Sequence, residues 1–128
     1  MVGIVIVSHS KCLADGVAEL AKMMASDAKI AAAGGLDDGA LGTSLDKITK
    51  AIEDVYSEDG VVILMDMGSA VMTAEMAVEN ISKDNIYLLD CPLVEGAVVA
   101  AVEAQIGSSV EIIKEKTKET RTINKLLA

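Results

Sequence analysis

The sequence contains neither phenylalanine nor tryptophan, and only two of its 128 residues are tyrosine. A core of large aromatic side chains is thereby excluded, so valine, isoleucine, leucine, methionine and alanine must fill the interior. Cysteine is also scarce, since Cys12 and Cys91 stand alone without a CxxC spacing. This argues against a disulfide framework or a zinc site and favours two buried thiols in a reducing cytoplasm.

Long apolar runs and an excess of basic residues are absent as well. The N-terminal run Met1–Val7 is too short for a secretory signal, and Glu95 interrupts the apolar stretch Leu93–Val102. We therefore expect a cytoplasmic protein without a membrane-spanning segment. The net charge of −9 disfavours binding to nucleic acid or anionic membranes. This acidic charge is consistent with binding to a basic patch on a partner protein, and equally with a role in solubility alone.

Short β-branched runs alternate with segments of helical periodicity. The runs predict four strands, at Val2–Val7, Lys29–Ala33, Val61–Met65 and Ile86–Leu89. Apolar residues three or four apart predict helices between and after them. These helices lie near residues 13–24 and 45–55, over Ala70–Ile81 and Leu93–Ile106, and from Val110 to Leu127 after a serine cap.

The order βαβαβαβ followed by helices predicts an α/β fold. We expect one domain over residues 1–128, with a mostly parallel sheet of about four to five strands and helices on both faces. The methionines are expected to fill the core for the most part, with Met67 as an exception because it lies in the loop after the third strand. The strong run Val61–Met65 should lie near the middle of the sheet. Sites in such sheets form beyond the carboxyl ends of the strands, which directs attention to the residues that follow each run.

His9 is the only histidine and follows the first predicted strand. One imidazole nitrogen can attack phosphorus while the other donates its proton to an acceptor, which fixes the tautomer. Asp66, at the end of the third strand, is the natural acceptor of that proton. Each residue also has a structural interpretation, since both types can cap the helix that follows.

Further polar residues are expected near the same edge. Gly68-Ser69 and Gly42-Thr43-Ser44 precede predicted helices, where backbone N–H groups bind anions, although ordinary capping explains such segments equally well. Asp37-Asp38 suggests a metal, but no third ligand is evident, so a solvated turn is favoured. Glu95 is expected to be structural.

Several motifs together resemble one protein family. They are GIVIVSHS at Gly3–Ser10, ELA at Glu19–Ala21, KIAAAGGLDDGALGTS at Lys29–Ser44, MDMGSAVMTAE at Met65–Glu75 and PLVEGA at Pro92–Ala97. In this order and spacing, they resemble the phosphotransferase subunits of bacterial dihydroxyacetone kinase (DhaM). Those subunits are part of the mannose-type enzyme IIA superfamily, which has a flavodoxin-like architecture. The stretch from Ser108 onward matches less clearly.

The resemblance implies roles for individual residues. His9 matches the histidine that receives a phosphoryl group from the carrier protein HPr of the sugar phosphotransferase system. Asp66 matches the carboxylate that orients this histidine. Phosphate-binding roles are implied for four further residues, which are Ser10, Thr43, Gly68 and Ser69. The resemblance implies no metal and no cofactor bound by this chain.

The resemblance also implies partners. The phosphoryl group would pass from His9 to ADP in the ADP-binding subunit of the kinase, where magnesium is also expected, and dihydroxyacetone would then be phosphorylated. This reaction belongs to glycerol metabolism in the cytoplasm. Family members are typically homodimers that sometimes exchange a strand or arm. Some relatives carry fused HPr-like and enzyme-I-like domains after this one. The given sequence stops at Ala128, so we expect phosphate to arrive from separate proteins.

Three other functions remain open from the sequence. A mannose-type sugar-transport IIA component is one, although the tryptophan-containing loop of those proteins is missing. A receiver-type signalling domain with Asp66 as the phosphate acceptor is another, but the first strand is followed by Ser8-His9-Ser10 rather than by an acidic pair. The third is a non-catalytic regulatory interaction module with a degenerate site.

Overall fold

A computed structural model describes residues 1–126, in which four strands alternate with helices. The strands are β1 (Gly3–Ser8), β2 (Ile30–Gly34), β3 (Val61–Met65) and β4 (Ile86–Leu88). The helices are α1 (Lys11–Met24), α2 (Leu45–Val55), α3 (Gly68–Asn80), α4 (Leu93–Gln105) and α5 (Val110–Glu119). No helix among these has the length and apolar character needed to cross a bilayer.

The four strands form one parallel sheet in the order β2-β1-β3-β4. This confirms the predicted α/β fold and the central place of β3. In the register, Val7 of β1 lies opposite Met65 of β3, and Ser8 lies opposite Gly34 of β2. The residues that follow these strands therefore emerge side by side at the carboxyl edge of the sheet.

Alternate side chains of the two central strands feed two separate cores, because successive residues of a strand point to opposite faces. Ile4 and Ile6 of β1 pack into one core with α1, α4 and α5. Val5 and Val7 pack into the other with α2 and α3. Both faces of the sheet are thus covered by helices, as predicted, and this explains why β1 reads as a continuous apolar run.

The strands and the first four helices lie within about two residues of their predicted bounds. The last helix is a correction, because α5 ends at Glu119, well before the predicted Leu127. The hydroxyl of Thr120 donates to the carbonyl of Thr117 (2.6 Å), and that of Thr122 donates to Glu119 (3.4 Å). Such local bonds compete with helix continuation. Leu127, the last residue of the prediction, lies outside the described residues.

Two predictions about burial were wrong. Cys12 is exposed, and only Cys91 is partly buried, where burial and the nearby Asp90 carboxylate raise the pKa of its thiol to about 11. Most of the methionines expected in the core are exposed, which is true of Met23, Met24, Met72 and Met76, whereas Met67 is exposed in its loop as expected. The expected homodimer stays a prediction, since the structure describes one chain.

Candidate active site

His9 and Asp66 meet at the carboxyl edge of the sheet, where each follows a central strand. The backbone N–H of Asp66 donates to the carbonyl of Val7 (3.2 Å), so the β1–β3 ladder extends to the site. His9 follows the last residue of β1, and Asp66 directly follows β3. The two backbones that carry the site are therefore fixed by the sheet itself.

Asp66 holds His9 at two points. The Oδ1 atom of Asp66 lies 3.0 Å from His9 Nδ1, and its Oδ2 atom accepts the His9 backbone N–H at 3.0 Å. The imidazole and the carboxylate are 22% and 11% exposed, so the pair is partly shielded from water. An ionised carboxylate can only accept, so in the neutral imidazole Nδ1 carries the proton and Nε2 has the free electron pair.

The environment of Asp66 favours its ionised form. Partial burial acts to raise the pKa of Asp66, but hydrogen bonds from the His9 N–H, the Ser8 hydroxyl, the His9 ring and the Met67 N–H together lower it. Each of these donors stabilises the carboxylate rather than the neutral acid. The imidazole therefore faces a negative charge.

Ser8 was not among the predicted site residues. Its side chain is fully buried, its hydroxyl donates to Asp66 Oδ2 at 2.8 Å, and its oxygen accepts the Ser10 N–H at 3.0 Å. Ser8 thus connects the start of α1 to the orienting carboxylate. The signal in the sequence was a single serine that ends an otherwise apolar strand, next to the histidine.

Ser69 contacts the other ring nitrogen of the imidazole. Its Oγ atom lies 2.5 Å from His9 Nε2, and because Nε2 has no proton in this tautomer, Ser69 is the donor. Ser69 belongs to the first turn of α3, whose cap residue Met67 makes no side-chain hydrogen bond. By contrast, serines cap α1, α2 and α5. The helix that faces the histidine is therefore left without a side-chain cap on its first N–H groups.

The glycine-rich loop between β2 and α2 contacts the histidine through its backbone. The Gly42 N–H donates to the His9 carbonyl at 2.8 Å. Thr43, predicted to bind phosphate, lies next to α3, with its Oγ1 atom 2.8 Å from Thr73 Oγ1. The ammonium group of Lys47 donates to the carbonyls of Gly34 and Leu36, each at 3.1 Å. Lys47 was not predicted, and Gly42 was named only as part of the segment Gly42-Thr43-Ser44 before α2. Neither contact was predicted, because backbone partners leave no motif in a sequence.

Two other predicted phosphate ligands lie next to the histidine. The Ser10 hydroxyl accepts the N–H of Leu13 at 3.2 Å and so caps α1. Gly68 is the first residue of α3, and a Cβ built on it would meet nothing within 4 Å. Gly68 is thus open to solvent in front of the uncapped turn of α3.

The acidic residues considered from the sequence have structural partners. Asp38 accepts the N–H of Ala40 at 2.9 Å, and Asp37 accepts the hydroxyl of Ser44 at 3.2 Å. Both therefore stabilise the loop, as the solvated-turn interpretation predicted. Glu95 pairs with Lys125 at 3.0 Å, and a hydrogen bond from that ammonium lowers the pKa of Glu95.

The geometry of the edge defines what it can do chemically. It presents an imidazole whose Nδ1 proton is held by a carboxylate and whose Nε2 electron pair faces a serine hydroxyl. The N-terminus of α3, which has no side-chain cap, lies beside it, and helix N-termini attract anions. A nucleophilic nitrogen next to an anion-binding helix end suits the reversible attachment of a phosphoryl group.

Comparison with known proteins shows the family to which the sequence is related. The family model described as the PTS system fructose IIA component, EIIA-man, matches residues 3–114. The phosphoryl donor subunit DhaM of the PEP-dependent dihydroxyacetone kinase of Escherichia coli is 43% identical over 87% of this chain. The corresponding subunit of kinase 1 from Listeria innocua is 42% identical over 91%. The chain spans 25% of the length of the first relative and 92% of the second.

Solved structures support the fold. The crystal structure of a protein of unknown function is 30% identical, with a TM-score of 0.83, and the match covers 97% of this chain and all of the other. The mannose/sorbose-specific IIA subunit of the phosphotransferase system from Enterococcus faecalis is 17% identical, with a TM-score of 0.55. That match covers 99% of this chain and 97% of the other, and it shows the mannose-type IIA architecture alone.

Proposed function

Since this chain belongs to the mannose-type enzyme IIA family, together with the DhaM subunits, we propose that it carries a phosphoryl group on His9. The observation that supports this proposal is the placement of His9 between Asp66 Oδ1 at 3.0 Å and Ser69 Oγ at 2.5 Å. The first contact prepares the imidazole as a nucleophile. The second places a hydroxyl donor where the phosphoryl oxygens must arrive.

In the first half-reaction, Nε2 of His9 attacks the phosphorus of a phosphorylated donor. A new N–P bond forms while the bond from phosphorus to the donor breaks, and the leaving group keeps that electron pair. Positive charge builds up on the imidazole, whose Nδ1–H remains bonded to Asp66, and the carboxylate stabilises that charge. Catalysis then consists of positioning and charge stabilisation.

Ser69 has to release Nε2 when the phosphoryl group arrives. Its hydroxyl can then turn toward a phosphoryl oxygen, and the uncapped N–H groups of Gly68 and Ser69 lie in the same turn of α3. Each of these hydrogen-bond donors then faces the negative charge of the phosphoryl oxygens, which is present only when phosphate is bound. Ser10 and Thr43 are proposed to add further hydroxyl contacts.

We propose HPr as the donor and ADP, held with magnesium in the ADP-binding subunit of dihydroxyacetone kinase, as the acceptor. An oxygen of ADP attacks phosphorus, and the electron pair of the N–P bond returns to Nε2. The resulting ATP phosphorylates dihydroxyacetone, and this chain needs no cofactor of its own. The names of its relatives from Escherichia coli and Listeria innocua support this acceptor over a sugar transporter.

Phosphorylation of Asp66, as in a receiver domain, is disfavoured by the geometry. Both carboxylate oxygens are engaged, by Ser8, by the backbone and ring of His9, and by the Met67 N–H at 2.7 Å. An attack by either oxygen on phosphorus would break this network. The histidine, by contrast, gives up only the contact with Ser69.

Reconstitution of the kinase tests the proposed acceptor. Phosphoenolpyruvate, enzyme I, HPr, the ADP-binding subunit and the dihydroxyacetone-binding subunit are combined, with and without this chain, and dihydroxyacetone phosphate is measured. We expect product only when the chain is present and His9 is intact. Phosphorylation of His9 without any dihydroxyacetone phosphate would contradict the acceptor and favour the sugar-transport alternative.

A further inference from the structure

We propose that Lys47 is a positioning residue for the phosphorylation of His9, because it ties together the two ends of residues 35–44, called here the β2–α2 loop. This role rests on the proposed function. It adds to that function a residue that acts on the histidine through the backbone of the loop rather than through contact with the phosphoryl group.

The β2–α2 loop needs a restraint from outside itself. Three of its residues are glycines with positive φ, at Gly35, Gly39 and Gly42, and glycine loses more conformational freedom on ordering than any other residue. Its internal backbone bonds run from the Leu36 N–H to the Ala40 carbonyl (2.8 Å) and from the Gly39 N–H to the Leu36 carbonyl (3.0 Å). These bonds order the middle of the loop, so its ends depend on other contacts.

Lys47 contacts both ends. Its ammonium group donates to the carbonyls of Gly34 and Leu36, each at 3.1 Å, on either side of Gly35, where the chain leaves β2. Its backbone N–H donates to the Oγ atom of Ser44 at 3.2 Å, and Ser44 is the last residue of the loop and the cap of α2. One residue therefore closes the loop, through its side chain at one end and its backbone at the other.

A lysine at this position has no explanation within the helix. Lys47 lies in the first turn of α2, where the helix dipole favours negative charge and where a glutamate or glutamine after the serine cap would complete a capping box. Within residues 1–126, no carboxylate forms a salt bridge with it. Its two carbonyl partners explain the lysine, since a charged donor forms stronger hydrogen bonds than a neutral one.

The neighbouring lysines are held differently. Lys11 and Lys50 line the same groove beside β2 as Lys47. They pair with Asp15 at 2.7 Å and with Asp54 at 3.2 Å, each four residues further along its own helix. Exposed pairs of this kind contribute little to stability. Lys47 is thus the lysine of this groove whose bonds join separate segments of the chain.

The loop passes the restraint on to the histidine. The Gly42 N–H donates to the His9 carbonyl at 2.8 Å, and the Gly35 N–H donates to the Ser8 carbonyl at 3.1 Å. Gly35 lies between the two carbonyls that Lys47 holds. The ammonium group is therefore connected to the backbone that carries the imidazole by a short series of hydrogen bonds, and its loss should let that backbone move.

The test compares three variants of α2 with the parent. Lys47→Met removes the ammonium group and keeps an apolar stem. Lys50→Met is the matched control, because it changes the net charge equally, on the same helix and in the same groove, but removes only an exposed pair with Asp54. Lys47→Arg keeps a charged side chain that can donate to two carbonyls.

Two quantities are measured for each protein. The first is the initial rate of His9 phosphorylation at saturating phosphorylated HPr. The second is amide hydrogen exchange, followed by NMR, at Gly35 and Gly42 in the loop. The amides of Ile6 and Ile63 in the central strands serve as the reference for global opening.

We expect Lys47→Met to lower the saturating rate about tenfold, because the nucleophile is no longer held in place. Exchange at Gly35 and Gly42 should become about tenfold faster, while the two strand amides exchange as in the parent. Lys50→Met should match the parent in both measurements. Lys47→Arg should recover the rate to within about threefold of the parent, since the charged donor is kept.

The role of Lys47 would be overturned by a Lys47→Met protein with the rate of the parent, or by an equal loss of rate in Lys50→Met. A slower rate with unchanged loop exchange would contradict positioning and indicate direct contact with the phosphoryl group or its donor. Equally faster exchange in the strands would reduce the role to overall stability. If the parent itself takes no phosphate from HPr, the proposed function fails, and this role fails with it.

Discussion

At the residue scale, Asp66 organises the site because four hydrogen bonds converge on its two oxygens. They fix the carboxylate, and the carboxylate fixes the histidine tautomer. The hydrogen bonds outweigh the effect of partial burial and lower the pKa of Asp66. Its charge therefore contributes to both stability and orientation.

Asp66→Asn should lower the free energy of unfolding in a pH-dependent manner. The pKa of Asp66 is lower in the folded state than in the unfolded chain, where an aspartate titrates at about pH 3.9. The ionised group therefore stabilises the fold above that pH, and its contribution declines as the pH falls through the folded-state pKa. We expect the variant to be less stable than the parent by about 1–3 kcal/mol at pH 7.

Urea unfolding at pH 7 and at pH 3 measures this difference between Asp66→Asn and the parent. The gap should be smaller at pH 3, where the unfolded aspartate is protonated. A gap that stays constant or widens on acidification would show that the hydrogen bonds to Asp66 do not favour its charge.

Ser8→Ala should impair the site without touching the phosphoryl group. The variant removes the buried donor to Asp66 and leaves the Ser10 N–H without its acceptor, at a cost of about 1–3 kcal/mol in stability. We expect the rate of His9 phosphorylation at saturating HPr to fall as the carboxylate loses its position.

The control for Ser8→Ala is Ser109→Ala, which removes the cap of α5 and costs about 1 kcal/mol in stability. It should leave phosphorylation unchanged. Equal rates for the two variants would mean that Ser8 acts only through overall stability.

The sequence predicted His9 and Asp66 from their places after two strong strands. The role of Ser8 and the contact between Gly42 and the His9 carbonyl could not be predicted, for a physical reason. Whether a strand-ending serine is buried depends on register, and the Gly42 contact uses only a backbone N–H. The role of Thr43 in binding phosphate stays a prediction, and its hydroxyl contacts Thr73 in the structure.

At the element scale, the site depends on how closely β2 approaches the start of α1. A Cβ built on Gly34 would lie 2.6 Å from the Ser10 carbonyl oxygen and 2.7 Å from the Ala14 Cβ. Those atoms belong to the segment that follows His9 directly. Close backbone packing therefore holds the histidine loop in place.

Gly34→Ala should destabilise the protein by about 1–3 kcal/mol and slow phosphorylation, because the added methyl group pushes α1 away from β2. Gly16→Ala provides the matched comparison, since Gly16 lies inside α1 and its added Cβ meets nothing within 4 Å. That variant should gain up to about 1 kcal/mol from helix propensity. Denaturant unfolding together with initial rates measures both effects, and a neutral Gly34→Ala would contradict the close packing.

The helices show where the spacing of apolar residues is sufficient to predict which face of a helix is buried, and where it is not. The apolar stripe of α2 predicted its bounds correctly, because Ile48, Ile52 and Val55 face the core. In α3, the small alanines face the core and let the helix pack closely, while the larger methionines point outward. Hydrophobicity alone does not distinguish these two arrangements, so the exposure of the methionines was not predicted.

At the scale of the whole molecule, a parallel sheet places the ends of β1 and β3 side by side, and this single feature brings His9 to Asp66. The alternation of strands and helices predicted that arrangement, since parallel strands need crossover helices and share one carboxyl edge. The surface around the edge is acidic and apolar, which favours contact with proteins over nucleic acid. Phosphoryl transfer between proteins is consistent with that surface.

Intact mass spectrometry tests the central claim most directly. The parent and His9→Ala are each incubated with phosphoenolpyruvate, enzyme I and HPr. The parent should gain one phosphoryl group, about 80 Da, that is labile in acid and stable in alkali, and His9→Ala should gain none. No gain in the parent, or a gain that survives in His9→Ala and is lost in alkali, would contradict a phosphoryl carrier at His9.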